Sequence, residues 1–182
     1  MSKKLIVTAL LGLALSTGAA FAKNPTVGGA AMFPNKNIIQ NAVNSPINTT
    51  LVAAVKAAGL VETLSGPGPF TVLAPTNDAF AALPAGTVDT LLKPENKATL
   101  VKILTCHVIA GNVMAKDVMA MVKADGGSHT ATTVGGCKVT FTTSGGKVYV
   151  TDEKGNKARI STANVRQSNG VIHVINKVLL PK

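Results

Sequence analysis

Cys106 and His107 stand side by side near the middle of the chain. A thiol beside an imidazole is the pairing that thiol nucleophiles use. The other residues of this kind are Cys137, His129 and His173. The stretch Cys106-His107-Val108-Ile109 is expected to be extended, and neighbours on a strand point to opposite faces. The dipeptide could then not form the pair alone, and His129 or His173 would have to supply the base. Structural zinc sites usually draw on close ligand pairs, about two to four residues apart, and these five residues offer none. The acids are Glu62, Asp78, Asp89, Glu95, Asp117, Asp125, Asp152 and Glu153. Only Asp152 and Glu153 adjoin, in a stretch that reads as a hairpin turn, whereas carboxylates that share acid–base work more often project from separate elements into a cleft. No Gly-x-Ser-x-Gly elbow, phosphate-binding loop or His-Glu-x-x-His helix occurs. No catalytic residue, metal or other cofactor is therefore expected. The plainer reading makes His107 and His173 core histidines satisfied by backbone hydrogen bonds.

What the two cysteines do depends on where the protein works. Lys3 and Lys4 precede an apolar run from Leu5 to Leu15, and small residues lead to Ala20-Phe21-Ala22. This is the pattern of a cleavable secretory signal over residues 1–22, with an apolar run shorter than the ~20 residues of a membrane span. The protein is expected to be exported, to the periplasm or outside the cell. An oxidising compartment favours a Cys106–Cys137 disulfide over two buried thiols, and a bridge requires Cα atoms within about 7 Å.

Eighteen basic residues against eight acids give a net charge of +10. Loss of residues 1–22, which hold two lysines and no acid, leaves +8. The lysines are spread singly, the arginines are Arg159 and Arg166, and the chain has one Tyr and no Trp. Nucleic-acid binders cluster their charge and interleave stacking aromatics, so nucleic acid is not an expected partner. If the charge has a use, anionic envelope polymers or a membrane surface suit it better.

The elements that must position these residues follow from the pattern. Residues 23–36 lack a period and read as a flexible lead-in to a single domain over 37–182. Asn37–Val43 is a short helix. Ser45 and Pro46 read as N-cap and first position of a helix that ends at Gly59. Phe70–Pro75 is a strand that hands over to a helix capped by Thr76 or Asn77. Short helices follow at Thr87–Leu92 and Asn96–Leu104. In Val113–Val122, Met114, Val118 and Met121 fall at helical spacing. Strands then dominate: Lys138–Thr142 and Lys147–Thr151 form a hairpin about Ser144-Gly145-Gly146, with Ala158–Ile160 and Val171–Ile175 after it. Helices early and strands late mark an α+β fold. Val171–Ile175, apolar on both faces, belongs between layers.

Three segments occur in a telling order: Phe70-Thr71-Val72-Leu73-Ala74-Pro75-Thr76-Asn77-Asp78-Ala79-Phe80, then Leu104-Thr105-Cys106-His107-Val108-Ile109-Ala110-Gly111, then Ser168-Asn169-Gly170-Val171-Ile172-His173-Val174-Ile175-Asn176-Lys177-Val178-Leu179-Leu180-Pro181. They resemble the two signature boxes and the central Tyr-His box of the fasciclin domain, and the resemblance runs from about Ile38 to Pro181. It implies a wedge of two small β-sheets with helices packed along one edge. It also implies a non-enzymatic module for cell-surface or matrix adhesion, whose partners are envelope or surface proteins or polysaccharides.

The resemblance singles out His107, Asn164, Val165 and His173 as binding-box positions. Two departures bear on them. Cys106 stands where the family's box has Tyr, and Asn164-Val165 stands where animal relatives carry an Asp-Ile pair implicated in receptor binding. Without that Asp, integrin-type recognition is not implied. Some members of the family carry an apolar pigment or lipid-like ligand, and the alternative function is such a carrier. The methionines of Val113–Val122 could then line an adaptable apolar surface, unless they simply face the core.

Overall fold

The computed structural model describes residues 24–182. The expected export signal at residues 1–22 lies outside them.

Six short helices and one strand come first. They are α1 (Ile38–Ala42), α2 (Thr49–Ala58), α3 (Val61–Ser65), β1 (Phe70–Pro75), α4 (Asn77–Ala81), α5 (Thr87–Leu91) and, after a 3-10 turn at Pro94–Asn96, α6 (Lys97–Thr105). Then come β2 (Val108–Ala110) and α7 (Ala115–Ala124), followed by β3 (Ser128–Thr132), β4 (Lys138–Ser144), β5 (Lys147–Thr151), β6 (Lys157–Gln167) and β7 (Gly170–Ile175). Among the described residues no helix is long and apolar enough to cross a membrane.

Local chemistry accounts for three of the helix ends. Asn37 and Gln40 form a capping box at α1, each side chain accepting the other's backbone N–H at 2.8 and 2.9 Å. Thr76 caps α4 by accepting the Ala79 N–H. Gly59 ends α2 in the left-handed conformation at φ 72°. The start of α2 corrects an expectation. Ser45 is not its cap, nor Pro46 its first residue, because the helix begins at Thr49. Asn77, arriving from β1, reaches across to accept the Thr50 N–H at 3.0 Å, while Ser45 Oγ donates to Asn48. The cap comes from a residue distant in sequence.

The strands hydrogen-bond in the order β2-β1-β7-β6-β5-β4-β3. β1 runs parallel to β7 and antiparallel to β2. The eleven-residue β6 divides this order into the two sheets of the wedge. Its Lys157–Arg159 segment pairs with β5, and its Ile160–Gln167 segment pairs with β7 through two register shifts. The α+β wedge is thus present, with β6 as the shared seam. The β4–β5 hairpin turns on Gly145-Gly146, both at positive φ (56° and 73°), as two-residue hairpin turns require.

Two apolar cores flank the β1–β7 pair. Leu51, Val55, Phe80 and Leu104 from the helices meet Val72, Ala74, Ile172 and Val174 on one side. Val118 and Val122 of α7 meet Phe141 and Val150, together with Leu73 and Ile175, on the other. Every residue of β7 is buried, which is why its sequence is apolar on both faces. The segment read as a flexible lead-in contributes to the first core: Val27 and Met32 are buried there, and Asn24 Nδ2 donates to the Arg166 carbonyl at 2.8 Å.

Candidate functional site

Cys106 and His107 are not on a strand. Leu100, Ile103 and Leu104 carry the buried face of α6 through to its end, and Cys106 is the C-cap, still helical at φ −70° and ψ −12°. The opposite-face argument therefore does not apply to this dipeptide. A different fact removes the thiol: Cys106 and Cys137 form a disulfide across 31 residues, with Cα atoms 5.3 Å apart. The loop before Cys137 lies so close to α6 that a Cβ on Gly135 would sit 2.6 Å from Thr105 Oγ1 and 2.9 Å from the Cys106 nitrogen. The bridge thus staples the end of α6 to the start of β4.

His107 is 2% exposed. Its Nε2 accepts the Leu179 N–H at 2.9 Å, so the ring proton sits on Nδ1 and is donated to the Ile103 carbonyl at 2.8 Å. Burial lowers its pKa from 6.5 to about 4. His173, 1% exposed, has the opposite tautomer. Its Nδ1 accepts the Asn164 N–H at 3.2 Å, and Nε2–H donates to the Val113 carbonyl at 2.8 Å. Burial lowers its pKa too. Both rings are neutral cross-links between backbone segments distant in sequence.

Asn164 adopts φ 61°, the one positive φ of a non-glycine residue among those described. This conformation, tolerated by Asn better than by most side chains, falls within the irregular stretch of β6. Its Oδ1 accepts the Ala115 N–H at 2.8 Å, at the first residue of α7. Thr71 completes the clamp: its hydroxyl donates to the Gly111 carbonyl at 2.7 Å and accepts the Val113 N–H at 2.9 Å. Val165 is 0% exposed. The four binding-box positions therefore do not assemble an exposed face. His107, Val165 and His173 are interior, and Asn164 is half-buried and committed to α7.

The acidic pair is equally occupied. Asp152 accepts N–H groups from Lys154, Asn156 and Leu180 at 2.8–2.9 Å, and from the Asn156 amide at 2.9 Å. Glu153 accepts from the Lys138 and Lys182 backbones at 3.0 and 3.2 Å, bonds that hold its carboxyl below the usual value. Leu179, Leu180 and Lys182 are thus tied down by His107, Asp152 and Glu153. Among the described residues no three His, Cys, Asp or Glu side chains cluster in a way that could hold a metal ion.

Buried asparagines carry a role that sequence reasoning missed. Asn169 donates to the Leu64 and Gly66 carbonyls, both at 2.8 Å, and accepts the Ile38 N–H at 3.0 Å. One side chain thereby joins α1, α3 and the β6–β7 turn. Asn41, 0% exposed, binds both the N–H and the carbonyl of Phe33 and also Gln167. The turn signal at Asn169-Gly170 locates the first of these residues, but not its partners.

Between α1, α2, α3 and the sheet lies a narrow cavity of about 40 Å³, lined chiefly by apolar side chains such as Met32, Ile38, Leu51 and Ile172. Pockets for drug-sized ligands are roughly 300–1,000 Å³. The methionine stretch is elsewhere. Val118 and Val122 pack on β3–β5 in the second core, while Met121 is partly buried and Met119 is exposed. Of the three residues whose spacing pointed to the core, Val118 lies in it and Met121 packs against it partly buried, whereas Met114 joins neither core.

Residues 47–181 match the model of the Fasciclin domain. Protein sll1483 of Synechocystis sp. is 51% identical over 159 residues, covering 87% of this chain and 81% of its own. The cell surface glycolipoprotein MPB83 of Mycobacterium bovis is 35% identical over 166 residues, covering 88% and 68%. In fold, the chain resembles a solved FAS1 domain pair from the insect cell adhesion molecule fasciclin I, with a TM-score of 0.73 at 18% identity. That match covers 81% of this chain, which spans about half (51%) of the solved one. The solved domain pair agrees in fold with this chain, and by the family model and the relatives the chain belongs to the fasciclin domain family.

Proposed function

We propose that this protein is an exported, non-enzymatic binding module that acts at a cell surface or in the surrounding matrix through protein or glycan contacts. The observation that carries the reading is the state of its reactive groups. The cysteines are bridged, and His107, His173 and Asp152 are each bound by backbone. Recognition is left to the solvent-facing surface, which is strongly basic overall. The relatives point the same way, one named as a cell surface glycolipoprotein and one structure taken from a cell adhesion molecule. A bridged cysteine pair suits an oxidising compartment.

The test is retention. The mature chain, immobilised, is challenged with the envelope fraction of its native host. The reading expects a surface protein or polysaccharide to be held and eluted. A column that holds neither would contradict it.

A second reading, carriage of an apolar pigment or lipid-like molecule, has the apolar lining of the α1–α3 cavity in its favour and the cavity's size against it. An absorbance spectrum and solvent extraction of protein purified from the native host separate the two. A visible band or extractable lipid favours carriage, and colourless, lipid-free protein favours the module.

A further inference from the structure

We propose that the outer face of the β3–β6 sheet is a docking platform for an anionic polysaccharide. The proposal rests on the binding-module reading and names its surface and partner. Val139, Phe141, Val148, Val150 and Ala158 point inward to the second core. By the alternation of a strand, their neighbours point out, and these are half-buried or exposed. The register aligns them in rows. Thr130, Thr140, Thr151 and Lys157 form one row, and Ser128, Thr142, Tyr149 and Arg159 form the next. Strand spacing makes each row ~14 Å long, with the rows ~7 Å apart.

The charge on this sheet has one sign. No Asp or Glu occurs in β3, β4, β5 or β6, whereas Lys138, Lys147, Lys157 and Arg159 are all exposed there. Glu153 lies at the corner beside Lys138 but is committed to two backbone N–H groups. Asp125, below β3, is hydrogen-bonded to His129 at 2.7 Å, and no Lys or Arg lies within 4.0 Å of a carboxylate oxygen among the described residues. The sheet's cations therefore lack carboxylate partners. Such a surface is complementary to a polyanion.

The rest of the face suits a sugar chain. The lone tyrosine of the sequence, Tyr149, lies there, and the Lys157 ammonium stands 4.7 Å from its ring centroid. A cation is thereby held over one face of the aromatic ring, which places a carboxylate contact against the tyrosine. Hydroxyls surround them: Thr130 and Thr140 are 3.2 Å apart, and Ser128 and Thr151 stand in the same two rows. The large hydrophobic side chains that are exposed, Phe33, Val43, Met119 and Val134, all lie outside these strands. A face without exposed large aliphatic side chains to insert favours a hydrated polymer over a lipid bilayer.

The test uses the mature chain and calorimetric titration with polygalacturonate, uncharged dextran, and vesicles of phosphatidylglycerol and phosphatidylcholine. Polygalacturonate is expected to bind, weakening as salt rises, and dextran is not. K157Q/R159Q is expected to lose about tenfold or more in affinity and Y149A several-fold, because paired charges and aromatic anchors dominate binding energies. K56Q/K116Q removes the same charge from exposed positions on α2 and α7, and is expected to change affinity less than about twofold. Circular dichroism melts verify that each variant is folded. Equal losses in the two double variants would overturn the proposal in favour of net charge alone, and binding only to vesicles would replace the polymer by a membrane. Wild-type protein that holds envelope material yet ignores polygalacturonate would sink the platform while leaving the module reading intact. Failure of both retention and titration would remove both.

Discussion

The helical side of the wedge and its hairpin side are built by different rules. Around β1 and β7, short helices are fixed one by one through buried polar side chains, among them Asn41, Asn48, Asn169, Thr71 and His107, and through the half-buried Asn77. Around β3–β5, period-two alternation and a two-glycine turn suffice, and α7 covers only the inner face. Helices of five residues have little intrinsic stability, so their ends must be tied to distant backbone. A meander of strands satisfies its own backbone and leaves its outer face free. The segments that identify the family therefore do structural work, and the plainer half holds the unoccupied surface.

That contrast predicts where substitutions hurt. The largest effect is expected at Gly170, where an added Cβ would meet the Phe70 carbonyl oxygen at 1.9 Å. Gly170→Ala should cost more than about 4 kcal/mol, seen as loss of cooperative unfolding or of soluble protein. Reduction of Cys106–Cys137, which closes a loop of 31 residues, is expected to cost about 3.7 kcal/mol in the chain-entropy model, measured by denaturant unfolding with and without reductant. Asn169→Ala strands three backbone groups and is expected to cost about 2–3 kcal/mol. Thr140→Ala, on the outer face of the hairpin side, is expected to lie within about 0.5 kcal/mol of wild type. Equal costs at Asn169 and Thr140 would erase the distinction.

Acid should act on the helical side first. Burial lowers the His107 pKa from 6.5 to about 4, so the unfolded chain takes up a proton that the folded chain refuses. Stability from this ring is complete above pH 6.5 and falls as pH drops from 6.5 towards 4, with a total of roughly 3 kcal/mol. His173 shifts in the same direction. Glu153, held below 4.5, adds its loss only at still lower pH. Denaturant midpoints at pH 7.5, 5.5 and 4 check the order, and a flat profile between pH 6.5 and 4 would contradict it.

Local chemistry was legible in the sequence, and long-range partners were not. The strand-to-helix handover at Pro75-Thr76-Asn77 and the Gly145-Gly146 hairpin follow from nearby residues, and both formed where expected. α3 escaped notice because Val61–Ser65 is one polar turn before a Gly-Pro stretch. β6 read as three residues because Ser161–Asn164 looks like a break, whereas register shifts carry the strand through it to Gln167. Cys106-His107 read as extended because nothing in the dipeptide reveals that α6 continues to Thr105. Asn169 bonds Ile38 across 131 residues and Asn164 bonds Ala115 across 49, and no local pattern encodes such pairings. The histidines were recognisable as core residues, but their tautomers required Leu179 and Asn164 to be in place.

The claim that the reactive side chains serve as internal cross-links is tested most directly by imidazole nitrogen chemical shifts of His107 and His173, followed from pH 8 to pH 4. The expected result is two neutral rings of opposite tautomer, His107 protonated at Nδ1 and His173 at Nε2, with neither titrating near 6.5. Rings that titrate together near 6.5, or that average between tautomers, would contradict it.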